Sequence, residues 1–227
     1  MAVAGRADAR ATAAYVAPFA AYVALLGLER LLPFSPALLY PLRLGIVLAV
    51  TLVFSRDVVD LRPARPISSV LAGIAVFLIW IGPDVLWPDY RRHWLFANSL
   101  VGTAASSLPE ALRSDPVFLS FRVAGSVLFV PILEELFWRG WLLRWLVSPN
   151  FTKVPLGKTT PLAFWIVALL FASEHGPYWD VGLLAGIAYN WWIMRTRSLA
   201  DCILAHAVTN ACLAAYVLRA GKWKYWL

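Results

Sequence analysis

Seven apolar runs set the strongest limit on how this sequence can fold. They cover residues 13–32, 36–54, 67–82, 116–147, 161–173, 181–194 and 199–218. A helix that crosses a hydrocarbon core of about 30 Å needs roughly 20 mainly apolar residues, and most of the runs approach that length. The sequence therefore predicts an all-α, polytopic bundle of transmembrane helices, which we expect to form a single membrane-embedded domain over residues 1–227.

The composition agrees with a lipid environment. Hydrophobic residues make up 61% of the chain and charged residues 15%, whereas soluble domains have about 45–50% and about 25% respectively. The excess apolar surface needs lipid around it, so membrane lipid is the first predicted partner.

An eighth span depends on residues 94–112. This stretch is moderately apolar but contains Asn98, Ser106, Ser107 and Glu110. We expect a helix lying in the membrane interface here; if the stretch crosses instead, the bundle has eight spans.

The net charge of +7 does not indicate nucleic-acid binding. The cations occur in short groups between the apolar runs, such as Arg91-Arg92 and Arg195/Arg197. Such groups are typical of loops that flank membrane spans, and none forms a stripe long enough to bind phosphates along a nucleic acid.

Helix-start signals lie at the edges of four runs. Ser35, Asp115 and Thr160 each precede a proline, and Ser198 stands three residues before Asp201. A capping side chain followed by proline at the first helical position, or the capping-box spacing, favours a helix start.

The run 116–147 contains the charged motif Glu134-Glu135-x-x-x-Arg139. Residues four apart share a helix face, so Glu135 and Arg139 can form an ion pair, while Glu134 points elsewhere. A charge at the bilayer centre costs at least about 2.5–3.5 kcal/mol, so two adjacent acids need an explanation. The simpler one is an ion pair plus a carboxylate that reaches the headgroups; we favour a functional site.

Two further motifs lie in separate apolar runs. Phe171-x-x-x-His175 ends one run, where a histidine commonly caps the helix. His206-x-x-x-Asn210 lies inside the last run, where its two polar side chains share a face and could simply hydrogen-bond to a neighbouring helix. Together, a carboxylate, two imidazoles and an amide are the groups needed to activate water and stabilise an oxyanion.

In their order and spacing, the three motifs resemble those of the CAAX-protease and bacteriocin-processing family of intramembrane peptidases, which includes the type II CAAX prenyl proteases. The resemblance covers about residues 117–215. It implies that Glu134 activates water with help from His175, that His206 and Asn210 stabilise the oxyanion, and that Glu135 and Arg139 orient the motif helix.

The cofactor is left open. Glu134, His175 and His206 could instead bind a divalent metal such as zinc, since one carboxylate and two histidines form a known catalytic set. We favour chemistry without a metal because no helix here carries the His-x-x-x-His pair of common zinc peptidases.

By the resemblance, we expect a multi-pass endopeptidase of the bacterial inner membrane that acts on a membrane-associated protein or peptide, either prenylated or sorted. The alternative is a non-catalytic immunity or scaffold protein of the same fold, in which the polar residues join helices. A transporter is less favoured because the sequence shows no paired halves.

Overall fold

The computed structural model describes residues 2–29, 31–106 and 108–226, with the side chains of residues 2–8 excepted. In this part of the chain there are seven α-helices and no β-strand. They are α1 (Ala2–Glu29), α2 (Pro36–Phe54), α3 (Pro66–Leu86), α4 (Pro116–Trp145), α5 (Pro161–Ser173), α6 (Trp179–Thr196) and α7 (Leu199–Ala220).

All seven predicted apolar runs are helical, which confirms the all-helical membrane bundle. Among the described residues, α2, α3, α4, α7 and the Ala9–Glu29 part of α1 are long and apolar enough to cross a membrane. Helix α5 has only 13 residues, and α6 has 18 residues but carries more polar groups. These two helices pack against each other.

Three of the four predicted helix caps form side-chain hydrogen bonds. Asp115 accepts from the backbone N–H groups of Val117 and Phe118, and Thr160 accepts from that of Ala163. Ser198 accepts from the N–H of Asp201. Ser35 occupies the cap position of α2 without such a bond, so proline at the next position marks that helix start.

The stretch 94–112 is neither an interfacial helix nor an eighth span in its described residues, so the expected helix there is wrong. The chain turns sharply between Asn98 and Gly102, whose backbones exchange two hydrogen bonds, and the Asn98 side chain accepts from two further N–H groups. Gly102 has a φ of 81°. An asparagine that bonds to nearby backbone and a glycine at positive φ both oppose a helix.

Helix α4 is continuous but contains two π-helical segments, Gly125–Phe129 and Leu136–Leu142. A π turn pairs an N–H with the carbonyl five residues back, and such turns occur frequently at functional sites. The second segment begins directly after the acidic pair of the first motif. The two segments lie on either side of Pro131.

Helix α3 packs closely along α7. At Gly73 the two backbones approach so nearly that the carbonyl of Gly73 accepts a hydrogen bond from Thr209 Oγ1 at 2.9 Å. Near the start of α3, the buried carboxylate of Asp201 accepts from Arg65 N at 2.8 Å and from Ser69 Oγ at 2.9 Å. These contacts fix the position of α7, which carries the third motif.

We predict that Gly73→Ala destabilises the protein whereas Gly82→Ala, on the same helix, does not. A Cβ at Gly73 would overlap the Ala205 carbonyl and come within 2.8 Å of the Val208 side chain; one at Gly82 would meet nothing within 4 Å. Overpacking of this kind costs about 1–3 kcal/mol. Thermal unfolding in detergent should show a lower midpoint for Gly73→Ala alone, and equal midpoints for the two variants would contradict this packing.

Candidate active site

A cavity of about 570 Å³ lies within the bundle, and each of the seven helices contributes to its wall. Much of the wall is aromatic. Acidic, imidazole, hydroxyl and amide groups also border it, and they include Glu134, Glu174, His175, His206, Thr209 and Asn210. The four residues predicted to be catalytic therefore come together from three separate parts of the sequence.

Glu135 and Arg139 form the ion pair that their spacing predicted. Arg139 Nη1 lies 3.1 Å from Glu135 Oε1, and both side chains are fully buried. Arg139 also donates from Nε to Asn190 Oδ1 at 3.1 Å, and its guanidinium carbon lies 4.6 Å from the centre of the Phe171 ring. Buried charges are tolerated when they are paired and hydrogen-bonded, and this pair has both kinds of partner.

Glu134 differs from its neighbour in its surroundings. It borders the cavity, while Glu135 is enclosed by protein. One of its carboxylate oxygens, Oε2, is buried without a hydrogen-bond partner among the described groups. Because Arg139 forms its ion pair with Glu135, the Glu134 carboxylate can accept a proton or hydrogen bonds from a molecule in the cavity.

His175 lies two residues after the end of α5 and is held in a defined orientation. Its Nδ1 lies 2.7 Å from the carbonyl oxygen of Phe171, and its ring meets Trp80 edge-on at 5.1 Å. Gly182 of α6 lies against the imidazole, since a Cβ there would be 3.1 Å from Nδ1. A carbonyl oxygen only accepts, so Nδ1 carries a proton and Nε2 is the acceptor of the neutral ring.

A second buried polar cluster fixes the segment that follows His175. Arg91 donates from Nη1 to the carbonyl oxygen of Pro177 at 2.8 Å and forms ion pairs with Asp180 and Asp84. Lys224 also pairs with Asp84, at 2.8 Å. These contacts connect the ends of α3 and α5 and the start of α6 to the residues after α7.

His206 lies on α7 and contacts the buried ion pair. Its Nδ1 is 3.0 Å from Glu135 Oε1, the oxygen that also accepts from Arg139. The ring stacks on Tyr189 with 5.0 Å between ring centres, and Tyr189 donates to Thr209 Oγ1 at 2.8 Å. Since an ionised carboxylate only accepts, Nδ1 donates to Glu135, and Nε2 is the nitrogen left for other contacts.

Asn210 is joined to helix α4 through the first π segment. Its Nδ2 donates to the carbonyl oxygen of Ser126 at 2.8 Å. That carbonyl needs a partner because the N–H of Val130 bonds to Gly125 instead, and the next residue is Pro131, which has no N–H. The second proton of the Asn210 amide and its oxygen are not used by this bond.

The predicted metal alternative does not fit the described side chains. No three His, Cys, Asp or Glu residues among them are grouped so that they could hold a metal ion, and this includes Glu134, His175 and His206. Glu135, the other carboxylate of the first motif, is already bound to Arg139 and His206. We therefore derive no catalytic step through a metal.

The structure adds three polar residues that the sequence analysis had not assigned. Asn190 holds Arg139, and its Nδ2 donates to the Phe164 carbonyl at 2.9 Å. Tyr189 supports His206, and Glu174 borders the cavity beside His175. An amide inside the apolar run 181–194 is a signal that could have identified Asn190, because such groups need a partner within the bundle.

The comparisons with known proteins agree with the motif-based resemblance. Residues 116–212, a little under half of the chain, match the family model described as type II CAAX prenyl endopeptidase Rce1-like. No curated protein and no solved structure matches the chain. The matched segment runs from the start of α4 into α7 and contains all three motifs, so over this segment the integral membrane protein is similar to the type II CAAX prenyl endopeptidases.

Proposed function

We propose that this protein is an intramembrane endopeptidase in which Glu134 and His175 activate a water molecule to hydrolyse a peptide bond. The observation that carries the proposal is that Glu134, His175, His206 and Asn210 border one cavity inside the bundle. A protected cavity with a base on one side and hydrogen-bond donors on another is what amide hydrolysis requires.

Glu134 is the group that removes the proton from water. Arg139 pairs with Glu135 and not with Glu134. Glu134 is therefore the carboxylate of the first motif that can act as a base. His175 assists because its Nδ1 is occupied by the Phe171 carbonyl, so Nε2 can accept a hydrogen bond from the same water. Two acceptors on one water orient its remaining lone pair towards the carbonyl carbon of the substrate.

His206 and Asn210 stabilise the oxyanion of the tetrahedral intermediate. Arg139 and Nδ1 of His206 both donate to the carboxylate of Glu135, which fixes the position of the imidazole at the cavity wall. In a low-dielectric site, fixed groups such as this imidazole and the spare amide N–H of Asn210 stabilise a developing negative charge far more than water does.

The proposed substrate is a membrane-associated protein or peptide, prenylated or sorted, which reaches the site from the lipid. Val23 and Leu26 of α1 border the cavity and have exposed fractions of 49% and 37%. An apolar segment could therefore enter beside α1 without crossing a polar surface. Cleavage assays with matched prenylated and unprenylated peptides would define the class of substrate. The metal content of the purified protein would be measured alongside.

A non-catalytic scaffold or immunity protein is the second candidate, and particular contacts favour it. The bonds from Asn210 to the Ser126 carbonyl and from His206 to Glu135 both join α7 to α4. Polar bonds of this kind stabilise membrane bundles by about 0.6 kcal/mol on average. If this were their whole role, substitutions would change stability in detergent, and purified protein would cleave nothing.

We predict that Glu134→Gln lowers kcat/KM about 10²–10⁴-fold, because the amide cannot act as a base. Its unfolding midpoint should change little, since Glu134 forms no ion pair in the described structure. Purified protein in detergent or nanodiscs would be assayed for peptide cleavage and thermal unfolding. Glu110→Gln, at an exposed site outside the cavity, is the matched control. Wild-type activity in Glu134→Gln would contradict the assignment.

For Glu135→Gln we expect a loss of stability as well as activity. The substitution leaves the buried Arg139 without its anion, and breaking a buried pair in this way costs about 3–5 kcal/mol. Thermal unfolding should therefore separate the two adjacent positions, with a lower midpoint for Glu135→Gln than for Glu134→Gln. The same midpoint for both would show that the two carboxylates do not have these different roles.

A further inference from the structure

Glu174 is an acid that neither the three motifs nor the proposed chemistry uses. It lies between the end of α5 and His175, borders the cavity and is exposed. Trp138 donates from Nε1 to Glu174 Oε1 at 3.1 Å, and Trp138 is itself buried, at 5% exposure. The carboxylate is therefore held in place through one oxygen, Oε1.

Trp138 connects Glu174 to the first motif. It comes four residues after Glu134 in helix α4, and its ring packs edge-on against Phe171 and Phe19, with 6.0 Å and 5.7 Å between ring centres. Because this ring is fixed by packing on two sides, its N–H fixes Glu174 relative to α4. The side chain of Glu174 is thus oriented by the same helix that carries Glu134.

Glu134 and Glu174 both border the cavity, and Trp138 of α4 joins Glu174 to the helix that carries Glu134. Neither receives the Arg139 charge directly, since Arg139 pairs with Glu135. Two carboxylates that share a cavity of low dielectric repel each other when both are charged, so a proton on one favours ionisation of the other. One carboxylate can then act as a base while the other holds an acid proton.

We propose that Glu174 is a further catalytic residue, the general acid that protonates the leaving nitrogen; this rests on the proposed peptidase function. The O–H bond of Glu174 breaks, an N–H bond forms, and the C–N bond breaks with its electron pair going to nitrogen. The oxyanion then reforms the carbonyl of the product carboxylic acid. The proton that Glu134 took from water passes to Glu174 across the cavity, which restores both groups.

The test compares a cleavable peptide with its depsipeptide, in which the scissile N–H is replaced by an ester oxygen. An amide nitrogen must be protonated before it leaves, whereas an alkoxide is a far better leaving group. Glu174→Gln should lower kcat on the peptide about 10²-fold. On the ester, kcat should fall by about tenfold at most. Trp138→Phe keeps the acid but removes its anchor, so it should show a weaker loss that is also larger on the peptide.

Glu134→Gln is the reference variant and should lose activity on both substrates, because both need an activated water. Equal losses on peptide and ester in Glu174→Gln, or no loss on either, would overturn the assignment of Glu174 while leaving the peptidase function intact. By contrast, full activity in Glu134→Gln, or no cleavage by the wild type, would overturn the proposed function itself. Glu110→Gln again serves as the control that changes neither rate.

Discussion

The buried ion pair between Glu135 and Arg139 organises the polar centre of this bundle. Charges away from water need partners on every side, and here those partners come from different helices. Asn190 and the Gly186 carbonyl of α6 bind the guanidinium, Phe171 of α5 lies beneath it, and His206 of α7 shares the carboxylate. Satisfying one charge pair therefore fixes the helices that carry all three motifs.

The same pair explains why two adjacent glutamates can behave differently. Glu135 is inside the protein with a cation, and Glu134, one residue earlier, is turned towards the cavity. Sequence proximity would suggest equivalent acids, but a helix rotates successive side chains by about 100°. Because Arg139 pairs with Glu135, the Glu134 carboxylate remains at the wall of the cavity that His175 and Asn210 also border.

Backbone irregularity in α4 provides a second link between helices. Pro131 lacks an N–H and the π turn before it redirects that of Val130, so the Ser126 carbonyl is bonded by Asn210 from α7. A free carbonyl inside a membrane is costly, and a side-chain donor from a neighbouring helix offsets that cost. The defect in α4 and the amide in α7 therefore depend on each other.

Much of this arrangement could be predicted from the sequence because it follows from local periodicity. The seven runs, the caps at Asp115, Thr160 and Ser198, and the Glu135–Arg139 pair all depend on spacing along one helix. The family model covers the same motif-bearing segment. Short-range patterns sufficed for these features.

What the sequence did not reveal depends on contacts between distant segments. Asn190 is bound to Arg139 across 51 residues, and Trp138 reaches Glu174 across 36. Residues 94–112 looked helical by hydrophobicity, but the turn between Asn98 and Gly102 is set by side-chain and backbone bonds that an average over a window does not detect. Only the packed structure brings such pairs together.

The most direct test of the central claim is an experimental structure with a bound peptide whose scissile amide is replaced by a tetrahedral phosphinate. We expect one phosphinate oxygen to contact Glu134 and His175, and the other to accept hydrogen bonds from His206 and Asn210. A phosphinate bound outside this cavity, or one that leaves the Glu134 carboxylate without contact, would contradict hydrolysis at this site.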